Sequence, residues 1–363
     1  MVIGVLKCTE ERLVPLVPKV VAKFIKDGYD VHVESGAGEE SLYSETAYKE
    51  CGAKIVSRED VYQADIILTV SGLNIGELPK FKKGAMVVGK FNARSESELL
   101  TALKNSEQHV FSLDLLPRST IAQSMDVLSS LASLSGYKSV VLAADHFGGY
   151  LPMMTTSAGT IPPAKFMILG AGVAGLQAIA TAKRLGAMVD AFDVRSAVKE
   201  EVESLGAKFI EVEGAKDDKD AGGYAVEQSE EYKEKQKELI HQTAIKADVV
   251  ITTANIPGRE APKLIEQRTV EAMNRGSVII DMASASGGNV ALSKDNETVK
   301  TNGVTIIGDA RLYNKMGPQS SFVYSNNIYS FLSFVLKEGV ENIPYDNEIV
   351  SNTLVTSNHN QEA

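Results

Sequence analysis

Residues 165–177 read KFMILGAGVAGLQ, an apolar run that enters a glycine cluster and leaves as a helix-forming stretch. Gly170, Gly172 and Gly175 form the pattern GxGxxG. Between a strand and a helix, the first glycine permits a tight turn and the second leaves room for a pyrophosphate. The third lets the helix pack closely on the sheet. The segment therefore predicts a dinucleotide-binding Rossmann unit, with the N–H groups of the helix start facing the phosphates.

A carboxylate follows where the same kind of site requires one. Asp193 ends the next predicted strand, at about the 20-residue spacing of this motif. There it accepts hydrogen bonds from both hydroxyls of the adenosine ribose and repels a 2′-phosphate, so NAD(H) is favoured over NADP(H). We expect the charge of Arg195 to soften that preference. Val194, and Val173 and Ala174 at the helix start, complete this group of predicted cofactor contacts.

Short β-branched runs alternate with amphipathic stretches throughout the chain, which indicates parallel βαβ units. We expect an α/β protein of two doubly wound Rossmann-like domains with parallel sheets. Long crossing helices, predicted at 118–137 and 319–339, join them. The first domain is then discontinuous, 1–130 plus 318–363, and the NAD(H)-binding domain is 131–317. The predicted strands are 2–6, 29–34, 64–70, 85–91, 109–116, 165–169, 188–193, 208–212, 248–254, 277–283 and 304–309.

Two segments lack a regular pattern. Residues 146–165 are rich in Gly, Pro and Thr, and we interpret them as a structured connector. Residues 213–232 are charged, contain glycine and show no hydrophobic periodicity, and we interpret them as a mobile loop.

The composition excludes several classes of function. Acidic side chains outnumber basic ones by 47 to 37 among 363 residues, and the net charge of −10 makes nucleic acid a poor partner. The two cysteines, Cys8 and Cys51, form no CxxC pair, so we expect neither a disulfide framework nor a metal site. We expect no apolar stretch long enough to span a bilayer and no signal peptide. A cytoplasmic protein is predicted.

Beyond the glycine cluster, long motifs extend through most of the chain. They are VIGVLKCTEERLVPLVP (2–18), PMMTTSAGTIPPAK (152–165), GYAVEQSEEY (223–232), ADVVITTANIPGREAP (247–262), RGSVIIDMASASGGN (275–289) and EIVSNTLVT (348–356). Together they resemble the NAD(H)-binding alpha component of proton-translocating NAD(P) transhydrogenase. The resemblance implies that Thr253 and Ala254 also contact NAD(H).

Alanine dehydrogenases share this architecture and much of the N-terminal pattern. That resemblance implies an Arg near the N-terminus, a Lys after the middle strand of the first domain and a His slightly further on, which act on an imino acid. Arg12 is present, but the next two neighbourhoods, LTVSG (68–72) and VGKFNARSE (88–96), lack the expected Lys and His respectively. We interpret Lys90 as a solvated surface lysine. The alternatives are an alanine dehydrogenase-like oxidoreductase and a non-catalytic NAD(H)-binding regulatory module.

In transhydrogenases an Arg, a Gln and an Asp with the spacing of PRSTIAQSMD (117–126), followed by a Ser, handle the nicotinamide end. The resemblance assigns these roles to Arg118, Gln123, Asp126 and Ser129. Gln123 is expected to hydrogen-bond a carboxamide or a ribose hydroxyl, and Arg118 and Asp126 to form an ion pair. Because the last three residues step by three, we expect them along one helix surface.

The resemblance also assigns two residues of the second domain to the nucleotide. Tyr224 lies in the polar loop and either packs near the adenosine or is a partly buried surface tyrosine. Asn289 follows two glycines at the end of a predicted strand, where ligands of open α/β sheets collect. Relatives often carry a Glu at the position of Ala285, and this departure leaves the role of that loop open.

The resemblance implies a subunit that presents NADH for direct hydride transfer to NADP⁺ on a separate NADP(H)-binding component. A membrane component of that family couples the reaction to proton translocation. The chain is then expected to form a homodimer and to lie peripherally on the cytoplasmic side of the inner membrane. Because direct hydride transfer exchanges no proton with solvent, we expect orientation and water exclusion to matter more than acid–base catalysis.

Overall fold

The computed structural model of the protein describes residues 1–212, 230–255 and 258–356. The chain divides into two compact units. Unit 1 is Met1–Leu131 with Tyr313–Ala363, and unit 2 is Ala132–Leu312. Unit 1 holds a six-stranded sheet and unit 2 a seven-stranded sheet, which confirms the predicted α/β class with two doubly wound sheets.

The strands are numbered in chain order over the described residues. They are β1 (Val2–Val5), β2 (Asp30–Glu34), β3 (Lys54–Val56), β4 (Ile66–Leu68), β5 (Met86–Gly89), β6 (His109–Ser112), β7 (Met154–Thr156), β8 (Gly159–Ile161), β9 (Lys165–Leu169), β10 (Met188–Phe192), β11 (Lys208–Ile210), β12 (Val249–Thr252), β13 (Val278–Asp281), β14 (Thr298–Thr301) and β15 (Val304–Gly308).

The α-helices follow the same numbering. They are α1 (Pro18–Lys26), α2 (Glu45–Glu50), α3 (Arg58–Val61), α4 (Glu98–Lys104), α5 (Val127–His146), α6 (Val173–Arg184), α7 (Lys199–Ser204), α8 (Glu230–Ala244), α9 (Gln267–Ala272), α10 (Gly317–Val335) and α11 (Glu348–Thr353). Short 3₁₀ turns lie between several of them.

The sheet of unit 1 has the order β3-β2-β1-β4-β5-β6, and each of its strand pairs is parallel. β4 and β5 are buried along their whole length, as expected of strands covered on both faces. α10 packs in the same unit by means of buried hydroxyl groups. Ser321 and Ser325 accept hydrogen bonds from the N–H groups of Val14 and Val17 at 3.0 and 2.9 Å. These bonds satisfy buried backbone donors in the segment between β1 and α1.

The sheet of unit 2 has the order β11-β10-β9-β12-β13-β15-β14. Its pairs are parallel except β14–β15, which is antiparallel. Alternate residues of a strand enter separate apolar clusters on the two faces. In β9, Phe166 and Ile168 belong to one cluster, and Met167 and Leu169 to the other. This two-sided burial places β9 at the centre of the unit, so the turn after β9 starts from a rigid strand.

Four short strands of the described residues are not predicted by the sequence. β3 has three residues, and β14 has four residues of which none is fully buried. β7 and β8 form an antiparallel hairpin within 146–165, the segment interpreted as a connector. Runs this short and exposed carry too few alternations to be distinguished from loops.

The first long helix begins later than the sequence predicts. α5 starts at Val127 and not near residue 118, and a 3₁₀ turn (Ala122–Met125) precedes it. The helix predicted to end at residue 137 continues to His146, so Gly136 lies within α5. A Cβ added to Gly136 would lie 2.1 Å from the carbonyl oxygen of Ala174 in α6. The glycine therefore permits close contact between the two helices and does not end α5.

α5 also contradicts the expectation that no segment is long and apolar enough to span a membrane. It meets that criterion by length and composition, which for a single helix is weak evidence of a span. Val140 and Ala143 of α5 are completely buried in a core cluster of unit 2. About two fifths of the apolar window of α5 is buried, so packing in the protein core accounts for part of its apolar composition.

We predict that Gly136→Ala destabilises the protein, although alanine is the better helix former by about 1 kcal/mol. Because the new methyl group would overlap the Ala174 carbonyl, overpacking should cost about 1–3 kcal/mol. Urea denaturation of the full chain measures the difference. Gly148→Ala is the matched control, because an added Cβ there has no atom within 4 Å. Equal stability of the two variants would contradict the proposed contact.

Candidate dinucleotide-binding site

The glycine cluster forms the turn between β9 and α6. Gly170 has a φ angle of +98°, a left-handed conformation that other residues rarely adopt. A Cβ on Gly175 would lie 1.9 Å from the Gly170 carbonyl oxygen, so only glycine lets the first turn of α6 come this close. Thr253, just after β12, donates from Oγ1 to the same carbonyl oxygen at 3.1 Å. The turn is thus supported by its own helix and by the neighbouring strand.

Gly172 leaves open space at the start of α6. A Cβ added there has no atom within 4 Å. Val173 and Ala174 are the first residues of the helix. The first N–H groups of a helix have no intrahelical acceptor and carry the positive end of its dipole. This combination of open space and exposed donors suits a phosphate group.

Asp193 follows β10 and its side chain is buried. It accepts a hydrogen bond from the Ala171 N–H at 2.7 Å, which ties the glycine turn to the end of β10. Arg195 donates from its backbone N–H and from Nε to Oδ1, both at 2.9 Å, and from Nη2 to Oδ2 at 2.8 Å. Burial alone raises the pKa of Asp193, but the hydrogen bonds and charge of Arg195 outweigh it, with help from the two backbone donors, and lower the pKa. The carboxylate is therefore ionised at neutral pH.

Asn289 is completely buried, and its side-chain amide bonds to backbone. Its Oδ1 accepts from the Ala254 N–H at 3.1 Å, and its Nδ2 donates to the carbonyl oxygens of Ala254 and Pro262, both at 2.8 Å. The amide thus sets the position of Ala254 at the carboxyl end of β12. The predicted contact of Asn289 with the nicotinamide side stays a prediction. Ala285 is exposed, in a 3₁₀ turn (Ser284–Ser286) of the same loop.

Asp281, at the end of β13, is a supporting residue that the sequence analysis missed. It is completely buried, and its Oδ1 accepts from Thr252 Oγ1 and the Ala283 N–H at 3.0 Å and from the Asn289 N–H at 3.2 Å. Its Oδ2 accepts from the Val290 N–H at 3.3 Å. Four donors hold one carboxylate, so the backbone that carries Asn289 is fixed. The only sequence signal was an acidic residue at the end of an apolar run.

The four residues assigned to the nicotinamide end lie in or before the start of α5. Gln123 is exposed in the 3₁₀ turn, and Arg118 is exposed before it. Asp126 caps α5, because its Oδ1 accepts from the Ser129 N–H at 2.9 Å and its Oδ2 from Ser129 Oγ at 2.5 Å. Asn327 of α10 holds the 3₁₀ turn by donating to the Ser124 carbonyl at 2.8 Å. The expectation that Gln123, Asp126 and Ser129 follow one helix surface is therefore wrong.

The interpretation of Lys90 as a solvated surface lysine is also wrong. Its side chain is 16% exposed and donates to Glu11 Oε1 at 3.0 Å and to the Tyr313 hydroxyl at 2.9 Å. Burial alone lowers the pKa of Lys90, but Tyr313 and Glu11 outweigh it and raise the pKa, so the ammonium stays charged. Burial raises the pKa of Tyr313 to about 12. Because Lys90 is a charged partner of Glu11, it is poorly suited to be a base.

The residues of unit 2 fit a dinucleotide. Gly172 gives access, the start of α6 gives donors, and Asp193 gives an ionised acceptor. Tyr224 lies outside the described residues. In the part of the chain that the structure describes, no group of three or more His, Cys, Asp or Glu side chains could hold a metal ion.

Comparison with known proteins agrees with this geometry. The family model described as alanine dehydrogenase/PNT, N-terminal domain, matches residues 7–135, and the model for the C-terminal domain matches residues 139–362. The two matches cover most of the chain. The chain therefore belongs to the alanine dehydrogenase/PNT family.

Within that family, the chain is similar to an NAD(P) transhydrogenase alpha subunit of Rickettsia prowazekii, at 42% identity, covering 96% of this chain and 92% of that protein. The crystal structure of transhydrogenase from Sinorhizobium meliloti is 38% identical with a TM-score of 0.89, covering 98% of both chains. Alanine dehydrogenase 1 of Staphylococcus aureus is more distant, at 26% identity, covering 94% of this chain and 88% of that protein. The resemblance to transhydrogenase alpha subunits is thus confirmed as the stronger one.

We predict that Asp193→Asn lowers the free energy of unfolding by about 2 kcal/mol at pH 7, because Arg195 loses its charged partner. The folded-state pKa of Asp193 is depressed. Its stabilising contribution is therefore complete above the ordinary aspartate pKa of about 3.9 and is lost as the pH falls through the folded-state value. Urea denaturation of both proteins between pH 7 and pH 3 measures the difference. A difference that does not shrink on acidification would contradict the ion pair.

Proposed function

We propose that this chain acts as the NAD(H)-binding alpha subunit of a proton-translocating NAD(P) transhydrogenase. The observation that carries the proposal is the 42% identity with a transhydrogenase alpha subunit along 96% of the chain. The glycine turn and the ionised Asp193 provide the nucleotide site that such a subunit needs. Bound NADH supplies the hydride, which passes directly to NADP⁺ on a partner.

The contribution of unit 2 is to bind and orient the nucleotide. The N–H groups of Val173 and Ala174 offset the negative charge of the pyrophosphate. Asp193 accepts hydrogen bonds from the adenosine ribose. Thr253 and Ala254 lie just after β12, at the edge of the sheet where ligands of open α/β folds bind. Binding in one orientation removes much of the entropic barrier to hydride transfer.

The contribution of unit 1 is proposed from the four residues around the start of α5. Gln123 is exposed and lies on a turn that Asn327 holds, so its amide is available to donate to and accept from a carboxamide. Asp126 and Ser129 fix the helix start beside it. Arg118 adds a positive charge. None of the four needs to exchange a proton, because the hydride passes directly between the two nicotinamide rings.

We propose as partners a separate NADP(H)-binding component and a membrane component that translocates protons. The chain is then a peripheral member of a complex at the cytoplasmic side of the inner membrane, and we propose that it forms a homodimer. The predicted domains, 1–130 plus 318–363 and 131–317, are proposed as its folding units. The compact units that meet at Leu131/Ala132 and Leu312/Tyr313 support this division.

Reconstitution tests the function. The chain is mixed with an NADP⁺-binding transhydrogenase component and NADH labelled with deuterium at C4, and the label is followed by mass spectrometry. Direct appearance of the label in NADPH, without exchange with solvent, is the expected result. Pyruvate- and ammonia-dependent oxidation of NADH by the chain alone would favour an alanine dehydrogenase. Binding without transfer to a competent partner would favour a regulatory module.

We predict that Gln123→Asn slows hydride transfer at least tenfold while the Kd for NADH changes less than about threefold. Shortening the side chain by one methylene withdraws the amide from a position needed only for orientation, and misplacement by about 1 Å can cost about a hundredfold in rate. Stopped-flow transfer rates and calorimetric titration measure the two quantities.

Gln63→Asn is the matched control for this variant, because Gln63 is also an exposed glutamine of unit 1. It should leave both the transfer rate and the Kd unchanged. Equal losses of rate and affinity in Gln123→Asn would identify Gln123 as a general binding residue and contradict its proposed orienting role.

A further inference from the structure

The carboxylate of Asp193 is fully occupied in this structure. A carboxylate has four lone-pair sites, two on each oxygen. Among the described residues, four donors reach it. Oδ1 accepts from the backbone N–H and Nε of Arg195, and Oδ2 accepts from the Ala171 N–H and Nη2 of Arg195. Each oxygen therefore has one backbone donor and one guanidinium donor.

The two backbone donors are part of the fold. The Ala171 N–H belongs to the glycine turn, and the Arg195 N–H lies two residues from the carboxylate it contacts. The two guanidinium donors belong to a long side chain that is about one quarter exposed. Release of the guanidinium frees one acceptor site on each oxygen and leaves the carboxylate in place.

The vicinal hydroxyls of an adenosine ribose need the same two sites. They form a pair of adjacent donors, and one hydrogen bond to each carboxylate oxygen satisfies both. The guanidinium of Arg195 makes that same pattern, with Nε on Oδ1 at 2.9 Å and Nη2 on Oδ2 at 2.8 Å. Ribose and guanidinium therefore compete for identical acceptor positions.

We propose that Arg195 is an intramolecular competitor for the ribose site of Asp193 and reduces the preference for NADH over NADPH that Asp193 provides. The proposal deepens the proposed function, since it rests on NAD(H) binding at Asp193. NADH must displace the guanidinium before its ribose reaches the carboxylate, so part of its binding free energy is spent on that displacement.

The released guanidinium has a consequence for NADPH. The backbone N–H of Arg195 still bonds to Asp193, so the side chain stays anchored two residues from the ribose-binding carboxylate. A guanidinium near that place is suited to a 2′-phosphate, which it binds through two parallel hydrogen bonds. Arg195 therefore weakens NADH binding and strengthens NADPH binding, and both effects reduce the discrimination that Asp193 provides.

The charge of Glu201 favours an alternative position for the side chain of Arg195. Hydrogen bonds to Asp193 are the main cause of the raised pKa of Arg195, and the charge of Glu201 in α7 contributes in the same direction. Glu201 is exposed. It offers a solvated carboxylate toward which the displaced guanidinium can move without losing its charge interaction altogether.

The test measures the affinities of NADH and NADPH separately. Arg195→Met keeps the aliphatic part of the side chain and removes every guanidinium donor. We expect the Kd for NADH to fall about five- to tenfold, since a charged hydrogen-bonding competitor is removed. The Kd for NADPH should rise about tenfold, because a cation that pairs with the 2′-phosphate is lost. Calorimetric titration of the full chain with each nucleotide gives both values.

Two further variants separate the effect of the Arg195 guanidinium from the general effect of removing a positive charge. Lys199→Met removes another cation of the same unit, which pairs with Glu211 at 2.7 Å and not with Asp193. It should change neither Kd by more than about twofold, because long-range charge effects at the surface are screened. Arg195→Lys retains the charge but replaces the two-donor fork by a single ammonium, and its Kd for NADH should lie between those of the wild type and Arg195→Met.

A merely structural role of Arg195 would not lower the Kd for NADH while it raises the Kd for NADPH. Loss of affinity for both NADH and NADPH in Arg195→Met, with an unchanged unfolding midpoint, would overturn the proposal and make Arg195 an ordinary binding residue. Failure of the folded wild-type chain to bind NADH would instead refute the proposed function. The two failures are therefore distinguishable in one set of titrations.

Discussion

The hydrogen bond from the Ala171 N–H to Asp193 is the constraint on which the nucleotide site depends. It joins the turn after β9 to the end of β10, so the open space at Gly172 and the ionised carboxylate have a fixed relation. The turn itself is possible only because Gly170 adopts a positive φ and Gly175 has no Cβ to meet the Gly170 carbonyl. The backbone geometry of the glycine turn therefore positions the side chain of Asp193.

The carboxyl ends of β12 and β13 show a second use of buried polar groups. Asp281 collects four donors, and Asn289 uses its amide to hold two neighbouring segments of backbone. Buried polar side chains of this kind are costly unless satisfied, and satisfied ones select a single backbone arrangement. The loops that border the nucleotide site are therefore shaped by internal hydrogen bonds and not by apolar packing alone.

Much of the fold was accessible from the sequence because its signals are local. The strand, glycine turn and helix at 165–184 follow from apolar runs and three glycines, and the alternation of elements indicated two parallel sheets. The position of α5 was not accessible, since Ile121 and Met125 keep a helical spacing while the backbone forms a 3₁₀ turn. In the structure Ile121 is 62% exposed and Met125 is buried, so the spacing did not mark one apolar face.

In the candidate site too, residues with local partners were predictable from the sequence and residues with distant partners were not. Asp193 was identified because its partner is the nearby glycine turn, a local relation. Lys90 was misread because its partners, Glu11 and Tyr313, are 79 and 223 residues away along the chain. Asp281 was missed for a related reason, since an acidic residue at a strand end has the same appearance whether it is solvated or satisfied by buried donors.

Asp126 has a structural role as the cap of α5. A carboxylate at that position stabilises the start of a helix of 20 residues, whatever it does for a nucleotide. The helix in turn carries Gly136 against Ala174, at the first turn of α6. Asp126 therefore caps the same helix that, further along at Gly136, lies close to α6.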